Sequence, residues 1–151
     1  MRDEYFMDLA LKQAAMAAEL DEVPVGAIVV SREGQIIGAG HNLKESRRDA
    51  TLHAEMTAIR GACRLLNSWR LLGATIYVTL EPCPMCAGAM IQARLQRLVY
   101  AAADPKAGAA GSLMDLLRFP DFNHQLEVTS GVKETEASQL LKEFFSSLRT
   151  K

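Results

Sequence analysis

The chain has 151 residues, of which 49% are hydrophobic and 23% charged, so it can bury an ordinary core without disulfides or stapling metals. Its formal net charge of −1 lacks the basic excess typical of nucleic-acid-binding proteins, so composition gives no support for an RNA or DNA partner. Because no apolar run approaches the roughly 20 residues that span a bilayer, and the acidic start is unlike a signal peptide, we expect one cytoplasmic domain over residues 1–151.

The predicted elements begin with a helix over residues 4–20, where apolar side chains recur near the helical period before Val23-Pro24. Two short apolar runs flank the turn Ser31-Arg32-Glu33-Gly34 and predict a hairpin with strands 25–30 and 35–40. Residues 41–51 are polar and irregular. A helix from about His53 to Leu66 follows, with Thr51 as its expected N-cap.

The second half of the chain alternates short β-branched runs with helical segments, which is typical of strand–helix–strand crossovers. The predicted elements are strand 74–80, helix 83–94, strand 97–101, a Gly/Ala loop 102–112, a helical turn 113–117, a weak strand 126–129 and an amphipathic helix 135–148.

This order of elements predicts an α/β fold. Crossovers after residue 52 require parallel neighbours, whereas the opening hairpin requires an antiparallel pair. We therefore expect a mixed sheet of about five strands with helices on both faces, a three-layer α/β/α arrangement.

Three side chains have the types and spacing of a catalytic zinc site. Cys83 and Cys86 are separated by one helical turn, which places both sulfurs on one side of a helix start that favours thiolate. His53 opens the other helix, and both helix starts should meet at the carboxyl edge of the sheet. Catalytic zinc takes three protein ligands and keeps one position for water. We therefore expect one Zn²⁺ bound by His53, Cys83 and Cys86.

Glu55 is the expected proton carrier, since three other residues suffice as ligands. Zinc lowers the pKa of its water to about 7, and a neighbouring carboxylate can move the released proton to a ring nitrogen and a leaving amine. The pattern His-x-Glu followed by Pro-Cys-x-x-Cys is a known signature of zinc deaminases.

Other interpretations of the motifs stay open. Cys-x-x-Cys alone fits a structural zinc or redox site equally well, and His41 or His124 could complete a structural zinc site. Finding both motifs in order, each at a predicted helix start, favours the deaminase.

These motifs resemble the cytidine-deaminase superfamily, and more closely the bacterial tRNA-specific adenosine deaminases. The likeness covers nearly the whole chain. Its segments are Glu22-Val23-Pro24-Val25-Gly26-Ala27, His53-Ala54-Glu55, Tyr77 to Ala89, Asp104 to Leu113, Asn123-His124 and Phe144 to Arg149. The zinc motifs specify only the superfamily, whereas the Gly-Ala-Ala-Gly-Ser loop and the Phe-Phe ending are typical of the tRNA enzymes.

The resemblance implies a cytidine-deaminase-like fold and a homodimer that edits adenosine to inosine at the wobble position of a tRNA anticodon stem-loop, with no DNA partner. It assigns substrate contacts to Asn42, the backbone of Ala54, Asp104, Lys106, Phe144, Phe145 and Arg149. Unpaired loop bases suit such an enzyme because they can be splayed out and read on their edges.

Two further functions remain as alternatives. The near-zero charge fits a deaminase of a free base or nucleoside, such as guanine or cytosine. The other alternative is a zinc module without activity that binds RNA or a partner, in which a fourth protein ligand would replace water on the metal. Single residues also have purely structural alternatives. Asn42 could serve as a cap at the end of the hairpin, and Phe144 and Phe145 could be packing residues of the core or of a dimer.

Overall fold

The computed structural model describes residues 2–149, without the side chain of Arg149. Its elements in chain order are α1 (Arg2–Glu19), β1 (Gly26–Val30), β2 (Ile36–His41), α2 (Lys44–Arg47), α3 (Ala54–Leu66), β3 (Thr75–Leu80), α4 (Pro84–Gln92), β4 (Arg97–Ala102), β5 (Glu127–Thr129) and α5 (Glu134–Arg149).

The five strands form one mixed sheet in the order β2-β1-β3-β4-β5. β1 pairs antiparallel with β2 and with β3, whereas β3–β4 and β4–β5 are parallel. The β3–β4 register runs from Thr75 opposite Arg97 to Leu80 opposite Ala102, so both strands end at the same edge. The predicted hairpin, parallel crossover and five-strand mixed sheet are confirmed.

Helices cover both faces of the sheet. On β1, Ala27 and Val29 belong to the core shared with α3 and α4, whereas Ile28 and Val30 belong to the core shared with α1 and α5. This alternation follows from the two-residue period of a strand. The predicted three-layer α/β/α architecture is therefore confirmed.

Gly40 lets α3 lie directly on β2 at the end that carries the site. A Cβ atom at Gly40 would come within 2.6 Å of the Ala54 carbonyl oxygen, where no side chain can fit. The first turn of α3 consequently packs against the strand backbone, which fixes its position relative to the sheet.

Two predicted local features are wrong. Thr51 is not the N-cap of α3, because α3 begins after His53 and Thr51 instead donates to Asp49. The expected helical turn over 113–117 is absent: an isolated antiparallel bridge joins Ala110 to Asp115, and the Leu116 amide donates to the Ala109 carbonyl.

The structure adds the short helix α2, inside the segment predicted to be irregular. Cys63, expected as a small core residue, is only partly buried, although it packs against the core. Among residues 2–149, no helix is both long and apolar enough to cross a membrane.

Candidate metal centre and active site

Two helix starts bring the three predicted metal ligands together. His53 is the N-cap of α3, and Cys83 is the N-cap of α4 with Pro84 at its first position. Proline suits that position because its fixed φ matches the helix and its missing N–H would have no helical partner. The Nδ1 atom of His53 lies 3.6 Å from the Sγ atom of Cys83 and 3.5 Å from that of Cys86.

The geometry of these donors fits a tetrahedral metal ion. All three ligand atoms lie within 4.8 Å of one another. With zinc bonds of about 2.1 Å to nitrogen and 2.3 Å to sulfur, tetrahedral ligands are about 3.6 Å apart, close to both observed distances. A His-Cys-Cys set can therefore hold a metal ion and leave one coordination position free.

No fourth residue joins this group within residues 2–149. The Nδ1 atom of His41 lies 3.0 Å from the Gln13 Oε1 atom, and His124 donates through Nε2 to the Leu95 carbonyl. Neither histidine completes the site, so the described residues do not form a four-ligand structural site.

Hydrogen bonds within the cluster favour the thiolate form of Cys83. A hydrogen bond from Cys86 lowers the pKa of the Cys83 thiol to about 4 against the opposing effect of burial, with a further contribution from His53. The same contact, together with burial, raises the pKa of Cys86. Because thiolate is the ligand form, Cys83 is ready to bind a cation.

Glu55 lies beside the ligand cluster but outside it. Its side chain is buried on the first turn of α3 and shares a hydrogen bond with Cys86, although it is not one of the clustered ligands. Burial raises the pKa of its carboxyl to about 7, so this group can both accept and release a proton near neutral pH.

A cavity of about 220 Å³ opens at the cluster. Its lining comprises Glu22, Val23, Val25, Asn42, Lys44, Glu45, His53, Glu55, Leu80, Cys83, Asp104 and Ala107. The cavity is thus lined by residues from the segment before β1, from α2, from both helix starts and from the loop after β4.

Asn42 connects two walls of this cavity. Its Nδ2 atom donates to the Val23 carbonyl, and its Oδ1 atom accepts from the Ala54 amide, each over 3.1 Å. The Ala54 backbone, an expected substrate contact, therefore already donates its amide hydrogen to Asn42. In this way Asn42 supplies the acceptor that the first turn of α3 lacks from its own N-cap.

Of the remaining predicted contacts, Asp104 lines the cavity, whereas Lys106, Phe144 and Phe145 line other hollows. Asp104 lines the cavity, but its carboxylate accepts from the Lys106 and Ala107 amides. Lys106 and Phe145 line a groove of about 750 Å³, which is near the cavity because Lys106 precedes Ala107 of the cavity lining. Phe144 faces a different hollow between α1 and α5. The side chain of Arg149 lies outside the described residues.

Two buried carboxylates that the motif analysis did not assign support the cavity. Glu22 is 1% exposed and accepts from the Glu45 and Ser46 amides, which holds α2 in place. These hydrogen bonds lower its pKa despite the opposing effect of burial. Glu81 is 2% exposed and binds the loop after β4. Each precedes a proline by one or two residues, which is a weak signal in the sequence.

Comparison with known families finds deaminases. The family model of MafB19-like deaminases matches residues 1–149. A tRNA-specific adenosine deaminase from Bacillus subtilis is 51% identical over 150 residues, covering 99% of this chain and 92% of that protein. The enzyme of the same description from Haemophilus influenzae is 48% identical, covering 97% of this chain and 85% of that protein.

Solved structures give the same relationship. A structure from a study of A-to-I editing by tRNA:A34 deaminases superposes with a TM-score of 0.87 at 46% identity, covering 91% of this chain and 99% of that chain. A guanine deaminase from Nitrosomonas europaea superposes with a TM-score of 0.83 at 26% identity, covering 95% of this chain and 84% of that chain.

Proposed function

Because the chain belongs to the tRNA-specific adenosine deaminase family, we propose that it hydrolyses adenosine to inosine at the wobble position of a tRNA anticodon. Water replaces the exocyclic amine, and ammonia leaves. The observation that carries this proposal is a buried Glu55 beside a three-ligand His-Cys-Cys cluster, with His53, Glu55 and Cys83 lining one cavity of about 220 Å³. The proposed deaminase domain spans residues 1–151.

We propose zinc as the metal, held by His53, Cys83 and Cys86. Two sulfurs and one imidazole nitrogen form a donor set typical of catalytic zinc. When bound, zinc would supply hydroxide as a nucleophile at neutral pH.

Glu55 moves the protons of the reaction. In its ionised form it takes a proton from the attacking water and delivers it to the ring nitrogen next to the amino group. It then carries a second proton to the departing amine. Both deliveries require a group whose pKa lies near the working pH, and burial gives Glu55 that property.

The groove beside the cavity favours an RNA substrate over a free base. Lys106 and Lys142 can attract phosphates there, while Phe145 is 43% exposed and can stack on an unpaired base. A free base would need only the cavity. The overall charge of −1 is compatible with this proposal, because RNA binding requires a local cluster of basic residues rather than a basic chain.

We also propose that the enzyme is a cytoplasmic homodimer, acting where tRNA is edited. Support for the dimer comes from apolar side chains exposed on one segment, with Leu113 58%, Met114 41%, Phe119 40% and Phe122 41% exposed. Of these four, Phe119 and Phe122 contact each other, with ring centroids 4.8 Å apart. Phe122→Asp should halve the mass measured by light scattering, and a monomeric wild-type protein would exclude this assembly.

The decisive experiment offers the metal-loaded protein two substrates. One is an anticodon stem-loop with a wobble adenosine, and the other is free guanine, for which the guanine deaminase similarity provides the second candidate function. We expect inosine in the stem-loop and little ammonia from guanine. A stem-loop carrying guanosine at the wobble position is the matched control. Faster turnover of guanine than of the stem-loop would favour the free-base enzyme.

A further inference from the structure

Glu81 has no partner in the metal cluster, although it stands only two residues before Cys83. Its carboxylate instead accepts from the chain after β4. Oε1 accepts from the Asp104 amide over 3.0 Å, and Oε2 accepts from the Ala110 and Ser112 amides over 3.0 Å each. The Ser112 hydroxyl donates to Oε1 as well. One buried carboxylate therefore binds both ends of the 104–112 loop.

The loop closes tightly around this carboxylate. A Cβ atom at Gly108 would come within 2.3 Å of the Glu81 Cδ atom and 2.5 Å of the Asp104 carbonyl oxygen. The Ala109 amide donates to the Pro82 carbonyl over 2.8 Å. The loop thus folds against the same Glu81-Pro82 segment that leads into the α4 ligands.

The position of this loop sets the shape of the substrate space. Asp104 and Ala107 line the cavity, and Lys106 between them lines the adjoining groove. The Asp104 carboxylate accepts from the Lys106 and Ala107 amides, which fixes the turn that carries Lys106. A displacement of the Glu81 contacts would therefore move one cavity wall and one edge of the groove together.

We propose that Glu81 is a positioning residue, which holds the 104–112 loop as the substrate-facing wall of the active site. It acts through the loop and touches neither substrate nor metal. Both carboxylate oxygens are occupied by loop donors, and the side chain is 2% exposed, so neither is available for proton transfer. This role rests on the proposed function, because the wall matters only if a nucleotide enters the cavity.

The test variant is Glu81→Gln, which keeps the shape but replaces one acceptor oxygen by an NH₂ group that faces N–H donors. We expect the KM for the wobble-adenosine stem-loop to rise roughly tenfold or more, since charge-assisted hydrogen bonds to the loop are lost. Metal content should stay at the wild-type level, and kcat should change much less than KM. Hydrogen exchange of the Ala110 and Ser112 amides should become faster.

Two further variants keep the test decisive. Ser112→Ala removes a single donor to the same carboxylate and should shift KM and loop exchange in the same direction by a smaller amount, even if Glu81→Gln fails to fold. Glu33→Gln removes an equal charge from the exposed β1–β2 turn and should change neither quantity.

Loss of metal with normal loop exchange would overturn the proposal, as would a fall in kcat at unchanged KM. Unchanged exchange and KM in both loop variants would also overturn it. A wild-type protein that leaves the stem-loop adenosine intact would instead contradict the proposed function, because hydrogen exchange still decides whether Glu81 holds the loop.

Discussion

The Nδ1 atom of His53 lies 3.5 Å from the Sγ atom of Cys86, although 33 positions separate the two residues. This contact depends on two helix starts that meet at one edge of the sheet. Cys83 is the third donor of the same group. Cys83→Ala should therefore lose the metal, with metal affinity reduced by at least roughly 100-fold, and the variant should unfold more easily. Metal analysis and denaturant unfolding measure both effects.

Cys63→Ala is the matched control for this prediction. Cys63 is partly buried on α3 and belongs to no group of potential metal ligands among residues 2–149. Its replacement should leave metal content unchanged. If Cys63→Ala lost as much metal as Cys83→Ala, the assignment of the ligands would be contradicted.

Glu55→Gln should separate catalysis from metal binding. The amide keeps the size of the side chain but cannot accept and release protons. Turnover should fall by about 10²–10⁴-fold, the usual contribution of general acid–base catalysis, while metal content stays at the wild-type level. Single-turnover assays and metal analysis on one preparation provide the measurement. Loss of the metal in this variant would mean that Glu55 is a ligand.

The fold was largely predictable because its signals are local. The hairpin turn and the β-branched run of β3 each specify their element within a few residues. The His53 and Cys83 helix starts were predictable from motif spacing in the same way. By contrast, α2 has only four residues and depends on Glu22, which lies more than 20 positions away.

The residues that hold the cavity walls were not predictable, because their partners are distant in the chain. Asn42 binds Ala54 across 12 positions, and Glu81 binds Ser112 across 31. A carboxylate before a proline carries no periodic signal that would indicate a distant loop as its partner. The chemistry of the site could therefore be predicted from residue types. The residues that hold the walls of the cavity could be identified only from the three-dimensional structure.

Asn42→Ala should weaken the start of α3. The Ala54 amide would lose its acceptor, and the Val23 carbonyl would lose one of its two donors but keep the Val25 amide. Loss of such a cap costs about 0.5–2 kcal/mol of unfolding free energy. Denaturant unfolding measures the cost, and faster hydrogen exchange at Ala54 would locate it. The exposed Asn123→Ala is the control and should have little effect. Unchanged stability in Asn42→Ala would contradict a structural role for this amide.

Asp3 should make stability sensitive to acid. Its carboxylate accepts from Arg97 over 2.9 and 2.6 Å and from the Tyr77 hydroxyl over 2.9 Å. The Arg97 hydrogen bond holds its pKa below the usual value, against a smaller effect of burial. The resulting stabilisation is therefore present above about pH 4 and is lost as the pH falls through the lowered pKa of the folded state.

The corresponding variant is Asp3→Ala. At pH 7 it should lower the free energy of unfolding by about 1–3 kcal/mol, and this difference from wild type should shrink below about pH 4. Asp8→Ala, on the same helix, loses an ion pair with Lys133 in which the Asp8 side chain is 52% exposed, and should cost at most about 1 kcal/mol. A difference for Asp3→Ala that does not change with pH would contradict this assignment.

Lys142 should contribute to RNA binding through charge. It shares the groove beside the cavity with Lys106 and Phe145, so a phosphate of the anticodon arm can approach both ammonium groups. Lys142→Gln should raise the KM for the stem-loop and reduce the salt dependence of log affinity by roughly 0.7–1, the amount expected for one lost phosphate contact. Its kcat should remain close to wild type, because the groove is separate from Glu55.

Lys12→Gln is the matched control, since it removes the same charge from an exposed position on α1. The measurement is the stem-loop KM and affinity at several salt concentrations for the two variants and wild type. Equal effects of the two substitutions would show that only total charge matters. An unchanged salt dependence in Lys142→Gln would place the RNA backbone elsewhere. A selective loss would identify this groove as the path of the anticodon arm into the active site.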